Sequence, residues 1–246
     1  MERLIISSSE VVTSTSDLVL AAARDNAPEG TAHTANIQTK GRGRNGRDWQ
    51  SPKGNFYLSV LLRPSRDQRD WPSLSLMAGL ALYHAVAMIR PKSDLGLKWP
   101  NDLLYQGGKT AGLLLEAEKG AVVLGCGVNL DAPPESVSGW APSALNQDDI
   151  APVITPALLL PAVEEHLIQF YQTWTDHGFL GLRDDWLAAA AHLNGRLTID
   201  HADGSRLEGI FTTLGDDGRL CLQDDNGVDH HLTAGEVVRA RLAEAP

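Results

Sequence analysis

Arg42, Arg44 and Arg47 are interleaved with Gly41, Gly43 and Gly46 in a chain of 246 residues whose formal net charge is −10. Guanidinium forks match carboxylate and phosphate oxygens, and the glycines leave the backbone free to take positive φ and approach a ligand closely. The segment is suited to clamping anions. Trp49 follows, with Ser51, Pro52 and Gly54 behind it. Its large apolar face can close a pocket while the arginines meet charge, which a merely solvated basic turn would not need. The letters GRGRNG satisfy GxGxxG, yet a strand-like run follows where a dinucleotide site needs a helix N-terminus. Nor does a Gly-Lys-Ser/Thr complete this loop as a P-loop.

The other residues able to do chemistry are scattered. Ser14 and Ser16 offer hydroxyls before an apolar helix, where capping alone accounts for one of them. Gln38 closes a strand at the mouth of the arginine loop. Lys98, Asn101 and Asp102 surround Pro100, which interrupts a strand ladder and aims polar side chains into a cleft. Lys109 stands at the start of the second strand of a hairpin, and Asn129 ends a further strand. Turn chemistry explains Asn101-Asp102 and Asn129 equally well. This inventory holds arginines, a fixed lysine and amides, with neither a Ser-His-Asp nor a Cys-His arrangement and no zinc spacing among eight histidines. It suits displacement at phosphorus rather than covalent enzyme catalysis.

Taken together, Gly41-Arg-Gly-Arg-Asn-Gly-Arg-Asp-Trp49, Lys98-Trp-Pro-Asn-Asp102, Gly108-Lys-Thr-Ala-Gly112 and Gly125-Cys-Gly-Val-Asn129 resemble, in family order, the biotin protein ligases. The resemblance runs from Val12 to Arg241 and is to the short form of the family, without an N-terminal DNA-binding domain. It implies ATP-dependent attachment of biotin to a lysine of a biotin carboxyl carrier protein, through biotinyl-5′-AMP. It implies biotin contacts from Ser14, Thr15, Gln38, Arg42, Gly43, Arg44 and Lys109, with Ser16 standing where the family carries Asn. Lys109 would contact both the acyl carboxylate and the phosphate. Arg42, Arg44, Arg47, Trp49, Lys98, Asn101, Asp102 and Asn129 are expected around the nucleotide, Asn129 near the triphosphate. Lys109 and Arg44 are the expected catalytic pair, and Asp102 the carboxylate near Mg²⁺.

Placing these groups requires a strand at Leu4–Ile6, a Ser/Thr-rich connection over 7–16, and a helix through Leu18–Ala23. Strands follow at Thr34–Gln38 and Asn55–Leu62, then a core helix over Ser73–Ile89 with Leu74, Met77, Ala81, His84 and Met88 on one face. Leu103–Tyr105 and Thr110–Leu115 form a hairpin across Gln106-Gly-Gly108, and Ala121–Asn129 pairs beside it. The five prolines of 131–156 mark a surface excursion. Helices are expected over 160–175, with Pro161 in the first turn, and over 180–193. Beyond Asn194-Gly195, five short strands separated by Asp/Gly turns, the first at Ala202-Asp-Gly204, predict a small barrel. The expected class is therefore α+β, with a mixed central sheet flanked by helices as in class II synthetase-like ligase cores. Residues 1–194 form the catalytic part and 195–246 an SH3-like barrel.

A 43% hydrophobic content is ordinary. The acidic balance argues against DNA as partner. Two distant cysteines without CxxC fit the reducing cytoplasm, and no run of 18 apolar residues or leader-like start predicts a membrane or export. Monomer and homodimer both remain open. The rivals are a lipoate or octanoate ligase, whose Arg-Arg-x-Ser-Gly-Gly signature is absent, a non-enzymatic biotin or nucleotide sensor, and a DNA-binding repressor, disfavoured by charge.

Overall fold

The computed structural model describes residues 1–131, 133, 141–201 and 203–242, with Arg239 by its backbone only. Strand β1 (Ile5–Val12) runs parallel to β2 (Thr31–Gln38), with helix α1 (Thr15–Arg24) crossing between them. The Ser/Thr-rich stretch expected to be a connection is thus mostly strand. β1 lies at the sheet edge with most of its side chains in water, so hydroxyls cost nothing there. Ser14 is the N-cap of α1, its Oγ accepting from the Ser16 amide at 3.2 Å.

β3 (Phe56–Leu62) is buried at every position. Helix α2 (Leu74–Ile89) packs against the sheet and against helix α3 (Pro156–His177). Composition alone would let Gln68–Ile89 cross a bilayer, and 67% of its 18-residue apolar window is buried inside this fold. The expected stripe holds for Leu74, Met77 and Ala81. It fails at Met88, which is 51% exposed, and His84 is half-buried against His166 and Phe170. The helix projects past its partner there.

β4 (Leu95–Lys98) and β5 (Asp102–Tyr105) are two antiparallel strands with Trp99-Pro100 in their turn, rather than one ladder interrupted by proline. β6 (Gly108–Glu118) and β7 (Ala121–Val128) complete a seven-stranded mixed sheet ordered β1-β2-β3-β7-β6-β5-β4. The expected excursion over 131–156 falls partly outside the described residues. Its described end turns inward, burying Ser143, Ala144, Leu145 and Ile154, and the Arg90 guanidinium holds it by the carbonyls of Leu145 and Pro152 and by Asn146.

Helix α3 (Pro156–His177) begins earlier than expected, because Thr155 caps it and Pro156 occupies the first turn. Pro161 therefore sits in the second turn. Its stripe of Val163, Leu167, Phe170 and Trp174 is buried. The next helix is short: a 3₁₀ turn at Phe179–Leu182 leads into α4 (Arg183–Ala188). Then β8 (Arg196–His201), β9 (Arg206–Leu214), β10 (Leu220–Gln223), β11 (Asp229–Leu232) and β12 (Val237–Leu242) form an antiparallel sheet ordered β11-β10-β9-β8-β12, consistent with an SH3-like unit. Ala202, in the first expected turn, lies outside the described residues. One core runs through both sheets, from Leu58 and Leu80 to Phe211 and Leu220.

Candidate functional site

The concave face of β6 and β7 is the floor of a cleft whose ends differ in charge. Gly112 pairs with Gly127 and Leu114 with Gly125, and these glycines leave the sheet bare. A Cβ on Gly127 would lie 2.5 Å from Trp49 Nε1, and one on Gly125 would lie 3.0 Å from Ser16 Oγ. The indole and the hydroxyl therefore rest directly on the backbone.

Lys109 reaches this face through an irregularity. Simple alternation would put it with Ala111 and Leu113 on the core side. The β5–β6 register skips Thr110, pairing Leu103 with Ala111 and Leu104 with Lys109. This bulge changes the parity and re-aims the lysine. Its Nζ stands 2.6 Å from Asp102 Oδ1 and 5.4 Å from the Trp49 ring centre. Lys98 Nζ lies 3.6 Å from Asp102 Oδ2. Burial alone would raise the Asp102 carboxyl; Lys109, then Lys98, overcome this and hold it below its ordinary value.

The arginine loop is an ordered ribbon, bridged at Gln38–Ser51 and at Arg42–Asp48. Its glycines do not all supply positive φ. Asn45 (58°) and Gly46 (69°) turn the tip, whereas Gly41 is needed because a Cβ there would lie 2.3 Å from the Trp49 carbonyl oxygen. Arg44 donates to Asn101 Oδ1 at 3.2 Å and to the carbonyl of Ala234 in the barrel. Neither partner neutralises it, and burial lowers its pKa from the ordinary value. Arg47, exposed, reaches the Val238 carbonyl at 3.3 Å. Arg42 differs: it donates to Asp17 Oδ1 at 2.5 Å and to both Glu116 oxygens at 3.1 Å, facing carboxylates rather than open space for phosphate.

At the other end Thr15, Ser16 and Ser59 form a buried hydroxyl cluster. Thr15 Oγ1 and Ser16 Oγ lie 2.8 and 3.0 Å from Ser59 Oγ. Gln38 Oε1 accepts from the Thr15 amide at 2.8 Å, while its Nε2 donates to Ser51 Oγ at 3.0 Å. Sequence reasoning missed Ser59, although a lone serine in the aromatic and aliphatic run Phe56–Leu62 was the available signal. It also missed Asp17, Glu116 and the barrel residues Ala234 and Val238, which only tertiary structure brings near.

The cleft is lined by Ser14, Thr15, Ser16, Gln38, Arg42, Gly43, Arg44, Arg47, Trp49, Lys98, Asn101, Asp102, Lys109 and Asn129. Every expected site residue is therefore in one place. Asn129 is buried; its Nδ2 donates to the Ser143 carbonyl, leaving Oδ1 without a partner among the described residues, as is Trp49 Nε1. An open acceptor there suits a hydrogen-bond donor on a ligand. No group of three or more metal-ligating side chains occurs among the described residues. Asp102, expected near Mg²⁺, is closed by two ammonium groups and does not fit as a protein-held cation site.

A cleft with a neutral hydroxyl end and a cationic end, roofed by an Arg/Gly ribbon, defines a ligase core. Residues 8–131 match the biotin/lipoate A/B protein ligase family and 194–239 the biotin protein ligase C-terminal domain. The chain belongs to the biotin protein ligases of that family. It is 36% identical over 202 residues to a biotin–[acetyl-CoA-carboxylase] ligase of Paracoccus denitrificans, covering 78% of this chain and 84% of that one. It is also 36% identical over 231 residues to the Mycobacterium tuberculosis ligase of the same name, covering 92% and 85%. The biotin protein ligase of Aquifex aeolicus, solved with biotin and ATP, superposes with a TM-score of 0.86 at 25% identity, over 97% of this chain and 99% of that one.

Proposed function

We propose that the chain attaches biotin to a lysine of a biotin carboxyl carrier protein, using ATP and passing through biotinyl-5′-AMP. The observation that carries the site assignment is the gathering of Lys98, Lys109 and Arg44 around the single carboxylate of Asp102, beside a hydroxyl-lined floor. The biotin carboxylate attacks the α-phosphorus of ATP, and pyrophosphate leaves. Both reactants are anions, so preorganised positive charge is the largest contribution to the rate.

Lys109 and Arg44 serve the carboxylate and the α-phosphate. Lys98 and Arg47 serve the remaining phosphates, and Asn129 Oδ1 accepts from the exocyclic amine of the base. Arg42, engaged by two carboxylates, braces the loop. Thr15, Ser16 and Gln38, with Ser59 behind them, take the ureido ring. Mg²⁺ would come with the triphosphate, as this ion is commonly held largely by substrate phosphates and water. The carrier lysine then attacks the mixed anhydride and AMP departs, a step needing orientation and exclusion of water. Trp49 and the ribbon supply that cover. Residues 1–194 would hold the chemistry, 195–246 the second wall, and the cytoplasm provides the setting.

The test is biotin-dependent exchange of pyrophosphate into ATP, followed by mass spectrometry of a carrier fragment. Lys109→Ala is expected to lose about 3 kcal/mol or more of transition-state stabilisation, the scale of one electrostatic donor. Adenylation near the wild-type rate would refute the role of Lys109. Acylation by lipoate in preference to biotin would refute the substrate.

A further inference from the structure

The strand register gives the cleft a direction. Gly112, Leu114 and Glu116 follow one another at two-residue steps along one face of β6. At one end, above Gly112, stand Lys109, Lys98 and Arg44 with Asp102; a Cβ on Gly112 would lie 3.4 Å from Lys109 Nζ. All three positive groups there act on the Asp102 carboxylate. At the other end, four residues and roughly 13 Å along the strand, Arg42 is paired directly with both Glu116 and Asp17, and Arg24, paired with Glu118, adds a weaker pull on Asp17. Asp17 lies in the first turn of α1, whose cap and first residues, Ser14, Thr15 and Ser16, form the hydroxyl end.

From this we propose that Asp17 and Glu116 determine specificity by neutralising Arg42, so that a ligand with a neutral polar head and one carboxylate enters in a single direction. The inference rests on the biotin reading of the cleft and adds a device to it. Without the two carboxylates, Arg42 would offer a second anion site at the hydroxyl end. The cleft would then accept linear dicarboxylates, which carry an anion at each terminus. A monocarboxylate, needing only the Lys109 end, should be indifferent to the change.

The experiment measures inhibition of biotin-dependent pyrophosphate exchange by octanedioate and by octanoate. In Asp17→Asn/Glu116→Gln, octanedioate inhibition is expected to tighten about fivefold, the upper end for a partly exposed ion pair made available to the ligand. Octanoate inhibition should change less than about twofold on the same scale. Adding Arg42→Gln should restore the wild-type response to octanedioate, and the conservative Glu116→Asp should leave it at the wild-type level. If the double variant folds poorly, Glu116→Gln alone, which keeps Asp17 at the helix start, should show the same selective tightening in part. Equal changes for the two acids, or none, overturn the inference while leaving biotin ligation intact. Absence of biotin-dependent exchange in the wild-type enzyme overturns both.

Discussion

A lysine beside a buried carboxylate is a common way to store charge, and here the store is kept positive. Lys109 and Lys98 hold the Asp102 carboxyl below its ordinary value, so it stays ionised in the neutral range. His192 answers differently to acid. Burial, with Lys98 adding, pushes its pKa from 6.5 down to about 4. The unfolded chain then binds a proton between about pH 6.5 and about pH 4 that the folded chain refuses. Stability should therefore fall as pH is lowered through that window. Thermal melts of the wild type are expected to show this slope and His192→Gln to flatten it; parallel slopes would show that other groups cause it. At this scale the sequence was informative about identity and silent about pairing. Arg42 reads as a ligand contact like Arg44 and Arg47, because neither Asp17 nor Glu116 is near it in the chain. Only the fold separates the braced arginine from the available one. The partner of Asn129 was hidden for the same reason: its amide nitrogen is taken by a carbonyl fourteen residues on.

The elements were legible wherever side-chain alternation or turn residues dictated them. The hairpin at Gln106-Gly-Gly108, the buried β3 and the barrel turns follow directly from composition. What sequence does not display is the skipped Thr110, since a bulge changes which face a residue takes without changing its type. The early start of α3 was hidden by giving Pro161 more weight than the Thr155-Pro156 start signal. The glycine pair tests how closely ribbon and sheet fit. Gly127→Ala places a methyl group 2.5 Å from the Trp49 indole nitrogen. Overpacking of this kind costs about 1–3 kcal/mol. A lower denaturant midpoint and more solvent-exposed tryptophan emission are expected. Gly235→Ala, which meets nothing within 4 Å, is the control. Identical emission in both variants would mean that Trp49 does not lie on the sheet in solution.

For the whole molecule, the two sheets act as facing walls of one cleft. Trp99 Nε1 donates to the Gly218 carbonyl at 3.0 Å, and Gly218, at φ 84°, sits so close that a Cβ would meet Leu76 Cδ1 at 2.6 Å. Gly218→Ala therefore combines a strained backbone with a clash at the seam. Because Arg44 and Arg47 lean on carbonyls of residues 234 and 238 while the hydroxyl floor belongs to the first sheet, loosening the seam should weaken ATP binding several-fold more than biotin binding. Calorimetric titration of each ligand checks this, and equal losses would count against separate walls.

That division has a consequence for the order in which a ribosome delivers the parts. Thr15, Gln38, Ser59 and Lys109 are synthesised well before the carbonyls of residues 234 and 238 that grip Arg44 and Arg47. A nascent chain halted before residue 234 would carry an untethered arginine ribbon, so the proposed nucleotide activation should begin only after the carbonyls of residues 234 and 238 have been added.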